Sequence, residues 1–409
     1  MRYLISMLIC GWLAGTCLAE ESAPAKPTPE VIRESVSRSL PFLESEGVAW
    51  MEGRLCMSCH HVPFTVWTHH AAQAKGIAID TQKLAQWDEW VRQDSLSQRH
   101  SFRLGQYEVN QVNEPQLPLA IKEKLKPVIN QKFFTEAELV EKLAPLLSAD
   151  ELTAHQPVIV QTATLQSNHP FRSGGGLDAL APVLLLPRET LGSSTAEQTS
   201  NLEFRAGVIG LMRQLQLEDG SWMPGSQFQS MRKWTLPTAN RATTMWIAMA
   251  MGQYRLSEEP PSDTVAKAIA FERQQAPPDN HEWLATRMLF EKEFGSSDDV
   301  ERLREQLIAE RNADGGWGWT KDAVSDPYTT GLVLYAVAKV GAGNHQEAID
   351  GAAAYLVASQ QPDGSWKTDS RTITNASGEE RIAARNEIYH YWGTGWAALG
   401  LLETLPQKP

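Results

Sequence analysis

Three segments of this chain are versions of one another: QLEDGSW at 216–222, RNADGGW at 311–317 and QQPDGSW at 360–366. Each follows a stretch with helical periodicity. In VERLREQLIAER (300–311), Val300, Leu303, Leu307 and Ile308 fall on one face. The Asp-Gly pair marks a turn, because glycine takes positive φ without a steric penalty. After a variable loop comes a second helical segment: ATTMWIAMAMG, TTGLVLYAVAKVG or GTGWAALGLLE. These are apolar nearly all round, and a helix of that kind is buried on every side. The unit is amphipathic helix, DG-W turn, loop, buried helix. The fourteen tryptophans fit repeated packing positions of such a unit.

Weaker copies extend the pattern. QQAPPDNHEWLATRMLFEKEFG (274–295) keeps the helices without the glycine-tryptophan turn. TAHQPVIVQTATLQ (153–166), SNHPFRSGGG and LDALAPVLLLPRE follow the same order, and SVSRSLPFLESEGVAW, CMSCHH and VPFTVWTHHAAQAKG form the earliest copy. Alternating buried and half-exposed helices imply two concentric layers, and no unit covers its own buried helix, so the units must close on each other. The expected architecture is all-α: a single α/α toroid over residues 31–405. Residues 77–150 fit the pattern poorly, although FFTEAELVEKLAPLL, with Thr135 and Glu138 as a capping box, reads as a helix.

The spacing Q-x-x-x-G-x-W, met by Gln216, Gly220 and Trp222 and again by Gln360, Gly364 and Trp366, resembles the repeat of squalene-hopene cyclases. The likeness extends to the β-subunits of protein prenyltransferases. It covers residues 200–405 well and 30–195 faintly, and Arg311 stands where the middle copy would carry glutamine. The resemblance implies an α/α toroid; the motif is a packing device and implies little about activity. The cyclases' Asp-rich D-x-D-D acid is missing. The nearest acidic pair, Asp298-Asp299, opens a helix and suits a helix N-terminus, and Asp326, before a proline, is a capping residue first and only a weak catalytic candidate. The prenyltransferase zinc site needs a late cysteine, and none follows Cys59. Sugar cleavage by two spaced carboxylates stays open, although no pair stands out. GxSxG, HExxH and P-loop patterns are absent.

Residues 1–19 (MRYLISMLICGWLAGTCLA) read as a secretory signal peptide and 20–30 as a disordered lead-in, so the expected location is periplasmic or extracellular. A net charge of −12 and the lack of basic runs argue against nucleic-acid binding, and no later segment resembles a transmembrane helix. After cleavage the remaining cysteines are Cys56 and Cys59, in CMSCHH. C-x-x-C-H is the attachment signature of haem c, with Cys56 and Cys59 as thioethers and His60 as the proximal iron ligand. A disulfide or redox pair and a metal site are the alternatives.

Each copy has its variable loop just before the buried helix, so these loops share one mouth of the ring. They carry His61 beside the thiol pair, His169, Arg241, His281, Asp326, Tyr328 and His390. If the last unit closes on the first, His390 is the favoured distal iron ligand, followed by His169 and His281; His61, Arg241 and Tyr328 line the mouth. The expectation drawn from the residues is an exported haem protein doing electron transfer or redox chemistry, with a redox partner or a small apolar ligand. The alternative is a terpenoid-cyclase-like or carbohydrate-active toroid enzyme, or an apolar-ligand scaffold.

Overall fold

The computed structural model describes residues 26–53, 61–96, 100–129, 131–133, 135–167, 181, 183–185, 195–222, 236–253, 263–369 and 379–406. The ring starts with α1 (Pro29–Gly53), α2 (Val62–Ala74) and α3 (Thr81–Leu96). An insertion follows: β1 (His100–Arg103), α4 (Gln106–Gln111), α5 (Leu119–Leu125), β2 (Lys132–Phe133), α6 (Glu136–Leu143), α7 (Ala149–Thr162) and β3 (Thr164–Ser167). The ring resumes with α8 (Thr195–Leu215), α9 (Leu236–Gln253), α10 (Asp263–Gln274) and α11 (His281–Phe294). It ends with α12 (Ser297–Ala309), α13 (Pro327–Val340), α14 (Gln346–Ser359) and α15 (Glu379–Thr404).

The apolar segments form the inner layer. In α13 every residue from Pro327 to Val337 is buried, as an all-round apolar sequence requires. Inner helices α9, α11, α13 and α15 pack in sequence, and α15 then packs on α2. Trp67 of α2 meets Trp246 of α9 at 6.2 Å between ring centroids, and Ala181, Val183 and Leu184 are buried in the same core. The amphipathic helices α1, α8, α10, α12 and α14 lie outside. Where α13 and α15 cross, Gly331 lies against the backbone of Trp396 and Ala397, so close that an added Cβ would stand 2.4 Å from a carbonyl carbon.

The DG-W turns join the layers. Trp222, Trp317 and Trp366 are fully buried, and their indole N–H groups donate to Met212 O, Leu307 O and Leu356 O at 2.7–2.8 Å. Their backbone N–H groups donate to Thr244, Thr330 and Thr394 of the following inner helices at 2.9–3.1 Å. The opening residue of each motif reaches the next outer helix. Gln216 donates to Thr264 O (2.8 Å), Arg311 to Glu347 O (3.1 Å) and Gln360 to Ser35 O (2.8 Å). The last latch runs from the third motif back to α1, and it closes the ring. The expected α/α toroid is the observed fold.

The insertion departs from expectation. β1 pairs antiparallel with both neighbours in the order β2-β1-β3, with His100 opposite Ser167 and Arg103 opposite Thr164. The inserted chain therefore leaves and returns at one place. It has a core of its own, built on Leu104, Val109, Leu117, Leu125, Leu139, Leu143 and Ile159. The segment 153–166, expected to open a ring unit, belongs instead to α7 and β3 of this insertion. Thr135 does cap α6, accepting from Glu138 N at 3.1 Å, and Ser148 with Glu151 forms a complete capping box on α7. Among the described residues no helix is long and apolar enough to cross a membrane.

Candidate functional site at the loop end of the barrel

The N-termini of α2, α9, α11, α13 and α15 face the connecting loops, so the barrel's loop end collects backbone N–H groups and partial positive charge. Glu282, in the first turn of α11, is buried there at 5 % exposure. The hydroxyl of Tyr328, itself buried, donates to Glu282 Oε1 at 3.3 Å. Around Tyr328 stand Trp319 at 6.4 Å, Tyr389 at 6.2 Å and Trp396 at 6.4 Å between centroids, and Tyr389 meets Trp392 at 5.7 Å. Trp319 is half-buried, the most accessible ring of this group. On the α2 side, His61 is sandwiched between Trp50 (4.1 Å) and Tyr391 (4.0 Å). The Tyr391 hydroxyl bonds to His61 O and lies 2.6 Å from Thr65 Oγ1. Burial holds the Tyr391 phenol above its ordinary range.

Beneath this group the barrel is filled. Trp396 is the hub, 5.4 Å from Phe64, 5.4 Å from Trp67, 5.9 Å from Trp246 and 5.8 Å from Tyr335. This aromatic layer separates the loop end from the other end of the barrel.

Several residues expected to share the mouth have other work. Both ring nitrogens of His281 are engaged, Nδ1 with Gly318 O at 2.7 Å and Nε2 with Glu310 at 2.9 Å, so it ties α11 to the turn of the second motif (311–317). His390 has Nε2 at 2.7 Å from Ser365 Oγ, and burial lowers its pKa. Arg241 faces the outer layer: Nε donates to Glu272 Oε2 at 3.0 Å and the guanidinium lies 4.8 Å from the Trp283 ring centroid. Glu272, fully buried, also accepts from Trp283 Nε1 at 2.9 Å and Arg287 Nη1 at 3.1 Å. A buried carboxylate needs such partners, which explains why Arg241 is drawn away from the mouth. Asp326 caps α13, accepting from Thr329 N and Thr329 Oγ1 at 2.9 Å. The acidic pair at α12 is likewise structural: Ser296 caps the helix, and hydrogen bonds from Ser296 and Arg302 lower the Asp299 pKa. His61 and Tyr328 do lie at the loop end. Cys56, Cys59, His60 and His169 lie outside the described residues, as does the leader.

Glu282, Tyr389 and Trp392 belong to the site and were not singled out from the sequence. The signal was helical phase: in IYHYWGTGW (388–396) the positions Tyr389, Trp392 and Trp396 share one face, which leaves His390 on another. In NHEW the same geometry sends Glu282 inward beside His281.

No protein-family profile matches the chain. A drimenyl diphosphate synthase from Streptomyces showdoensis is 38% identical over 69 residues, 17% of this chain and 13% of that protein's length. The chain thus spans far less than two thirds of that relative. Among solved structures, a glycosidase is similar at 11% identity over 92% of this chain and 98% of its own, with a TM-score of 0.48. A glycosyl hydrolase of family 88 from Bacteroides vulgatus follows at 10% identity over 93% and 99%, with a TM-score of 0.37. A polysaccharide lyase is similar at 12% identity over 93% and 98%, with a TM-score of 0.36. The expectation of haem-dependent redox chemistry is corrected by these findings. The full-length similarities are to carbohydrate-active proteins, the alternative class, and His281 and His390 are engaged in structural hydrogen bonds.

Proposed function

We propose that the chain is a carbohydrate-active toroid enzyme that binds a sugar at the loop end and uses Glu282 for proton transfer. The observation that carries this reading is the buried Glu282–Tyr328 pair within a group of aromatic rings. A carboxyl group hydrogen-bonded to a phenol can give or take a proton at a nearby hydroxyl, glycosidic oxygen or ring carbon. The half-buried Trp319 supplies a flat apolar face for a sugar ring beside that proton. The aromatic layer under Trp396 favours a substrate received at the rim over a long isoprenoid chain drawn into the barrel. The secretory leader read from the sequence would bring such an enzyme to polysaccharide outside the cytoplasm.

The test is release of new chain ends or unsaturated sugars from a panel of neutral and uronic-acid polysaccharides. Glu282→Gln should lower kcat by about 10²–10⁴-fold with the circular dichroism spectrum retained. Tyr328→Phe should act in the same direction by a smaller factor. Turnover that survives Glu282→Gln unchanged would remove that residue from the chemistry.

A further inference from the structure

The barrel has a second end, below the Trp396 layer, where the inner helices finish. A cavity of about 390 Å³ opens there, with Trp67, Trp246, Met249, Leu289, Tyr335 and Leu399 as its apolar wall. Lys75, Lys292 and Lys339 share its edge with Glu293 and Glu403. We propose that this cavity binds a small amphipathic anion, a compact apolar body carrying one carboxylate, at a site separate from the loop end.

The volume lies in the range of small-molecule pockets, roughly 300–1,000 Å³, and the aromatic and aliphatic wall suits an apolar body. The polar groups decide the head. Lys75 is buried at 6 % exposure, and one N–H of its ammonium donates to Leu405 O at 2.7 Å. A buried ammonium is costly unless its remaining donors and its charge are met. The carboxylate that offsets its charge, Glu403, is shared with Lys339, 3.5 Å away from it. Counting three lysines against two glutamates leaves the rim one positive charge in excess. Lys292 adds to the same edge, with its ammonium on Lys339 O.

His70 makes a second, independent contribution. It lines the cavity, is almost fully buried, and holds Asp88 through Nε2 at 2.9 Å. Its other nitrogen, Nδ1, is buried without a hydrogen-bond partner among the described residues. Native interiors rarely leave such an atom unmet. A ligand carboxyl group would satisfy it, giving its proton to Nδ1 or accepting from the ring once both nitrogens carry hydrogen. Burial also lowers the Lys75 pKa, and an anion in the cavity would reverse that shift.

Calorimetric titration of the full chain with decanoate, decanol and decyltrimethylammonium, each below its micelle concentration, tests this. Decanoate should bind one-to-one and at least about tenfold more tightly than decanol, the size expected of a charge-assisted hydrogen bond. The ammonium probe should bind most weakly. Leu289→Trp, which fills the cavity, should abolish decanoate binding. Lys75→Met should bring decanoate down to the level of decanol. Because Lys75 also holds the Leu405 carbonyl, Lys292→Ala on the exposed rim is the second variant, expected to weaken decanoate by about threefold. No saturable heat with decanoate, equal affinity for the alcohol, preference for the cation, or indifference to Leu289→Trp would each overturn the proposal.

Discussion

Trp222, Trp317 and Trp366 are each held by the same two hydrogen bonds, one from the indole and one from the backbone N–H. The tryptophans could be read from the sequence because they recur after Asp-Gly. Their threonine partners could not, since a threonine within an apolar helix also reads as a tolerated polar residue. At Trp317, Thr330→Val should cost about 1–3 kcal/mol in urea unfolding, because it strands a buried N–H, whereas Thr330→Ser should cost far less. Histidines show the opposite limit of sequence reading. A loop position does not reveal whether a ring faces the axis, a turn or solvent, and His281 and His390 were both drawn into turn hydrogen bonds. His69 and His390 also carry a pH signature. Burial lowers both below the usual 6.5, so the unfolded chain binds more protons just below that value. Their contribution is complete above 6.5 and falls as the pH drops toward the folded values. The urea midpoint should therefore decline on acidification from about pH 7.5 to about pH 5.5, and less so in His390→Asn.

At the scale of elements, the periodicity of the inner helices was enough to place them, because a helix apolar on all sides has few alternatives to the centre of a ring. The outer helices were less decided. α6 and α7 have the same kind of amphipathic face as the ring's outer helices, and period alone does not say which core that face joins. What removes them from the ring is the β1–β3 pairing, a short antiparallel contact between segments far apart in sequence. The turns give a sharper prediction. Gly364 has φ near +85°, and a Cβ there would stand 2.0 Å from Arg38 O of α1. Gly364→Ala should thus destabilise by more than about 1 kcal/mol, through strain and through loss of the seam between the last unit and the first. Gly210, in the middle of α8 with nothing within 4 Å of an added Cβ, is the control. Gly210→Ala should stabilise by about 0.5–1 kcal/mol in the same chemical denaturation.

The whole molecule is a closed ring with an occupied centre. At the seam Gln360 reaches Ser35, alongside the packing of α15 on α1 and α2, where Gln216 and Arg311 make the equivalent latch within the chain. Gln360→Ala should speed hydrogen exchange in α1 and α14 while leaving α11 and α12 protected; uniform exchange across the ring would show that the seam carries no special share of stability. The toroid could be anticipated from the repeats, and so could a mouth formed by loops. The filled centre could not, because it depends on which faces of α2, α9, α13 and α15 bring Phe64, Trp67, Trp246, Tyr335 and Trp396 together. That layer makes two ends out of one barrel, and Glu282, in the first turn of α11, lies at the loop end. The most direct measurement is a crystal structure of Glu282→Gln soaked with oligosaccharides from the polysaccharide panel proposed as substrates. A sugar ring against Trp319, with an oxygen within hydrogen-bond distance of residue 282, is the expected result. Oligosaccharide bound away from Tyr328 and residue 282, or beyond the Trp396 layer, would contradict it.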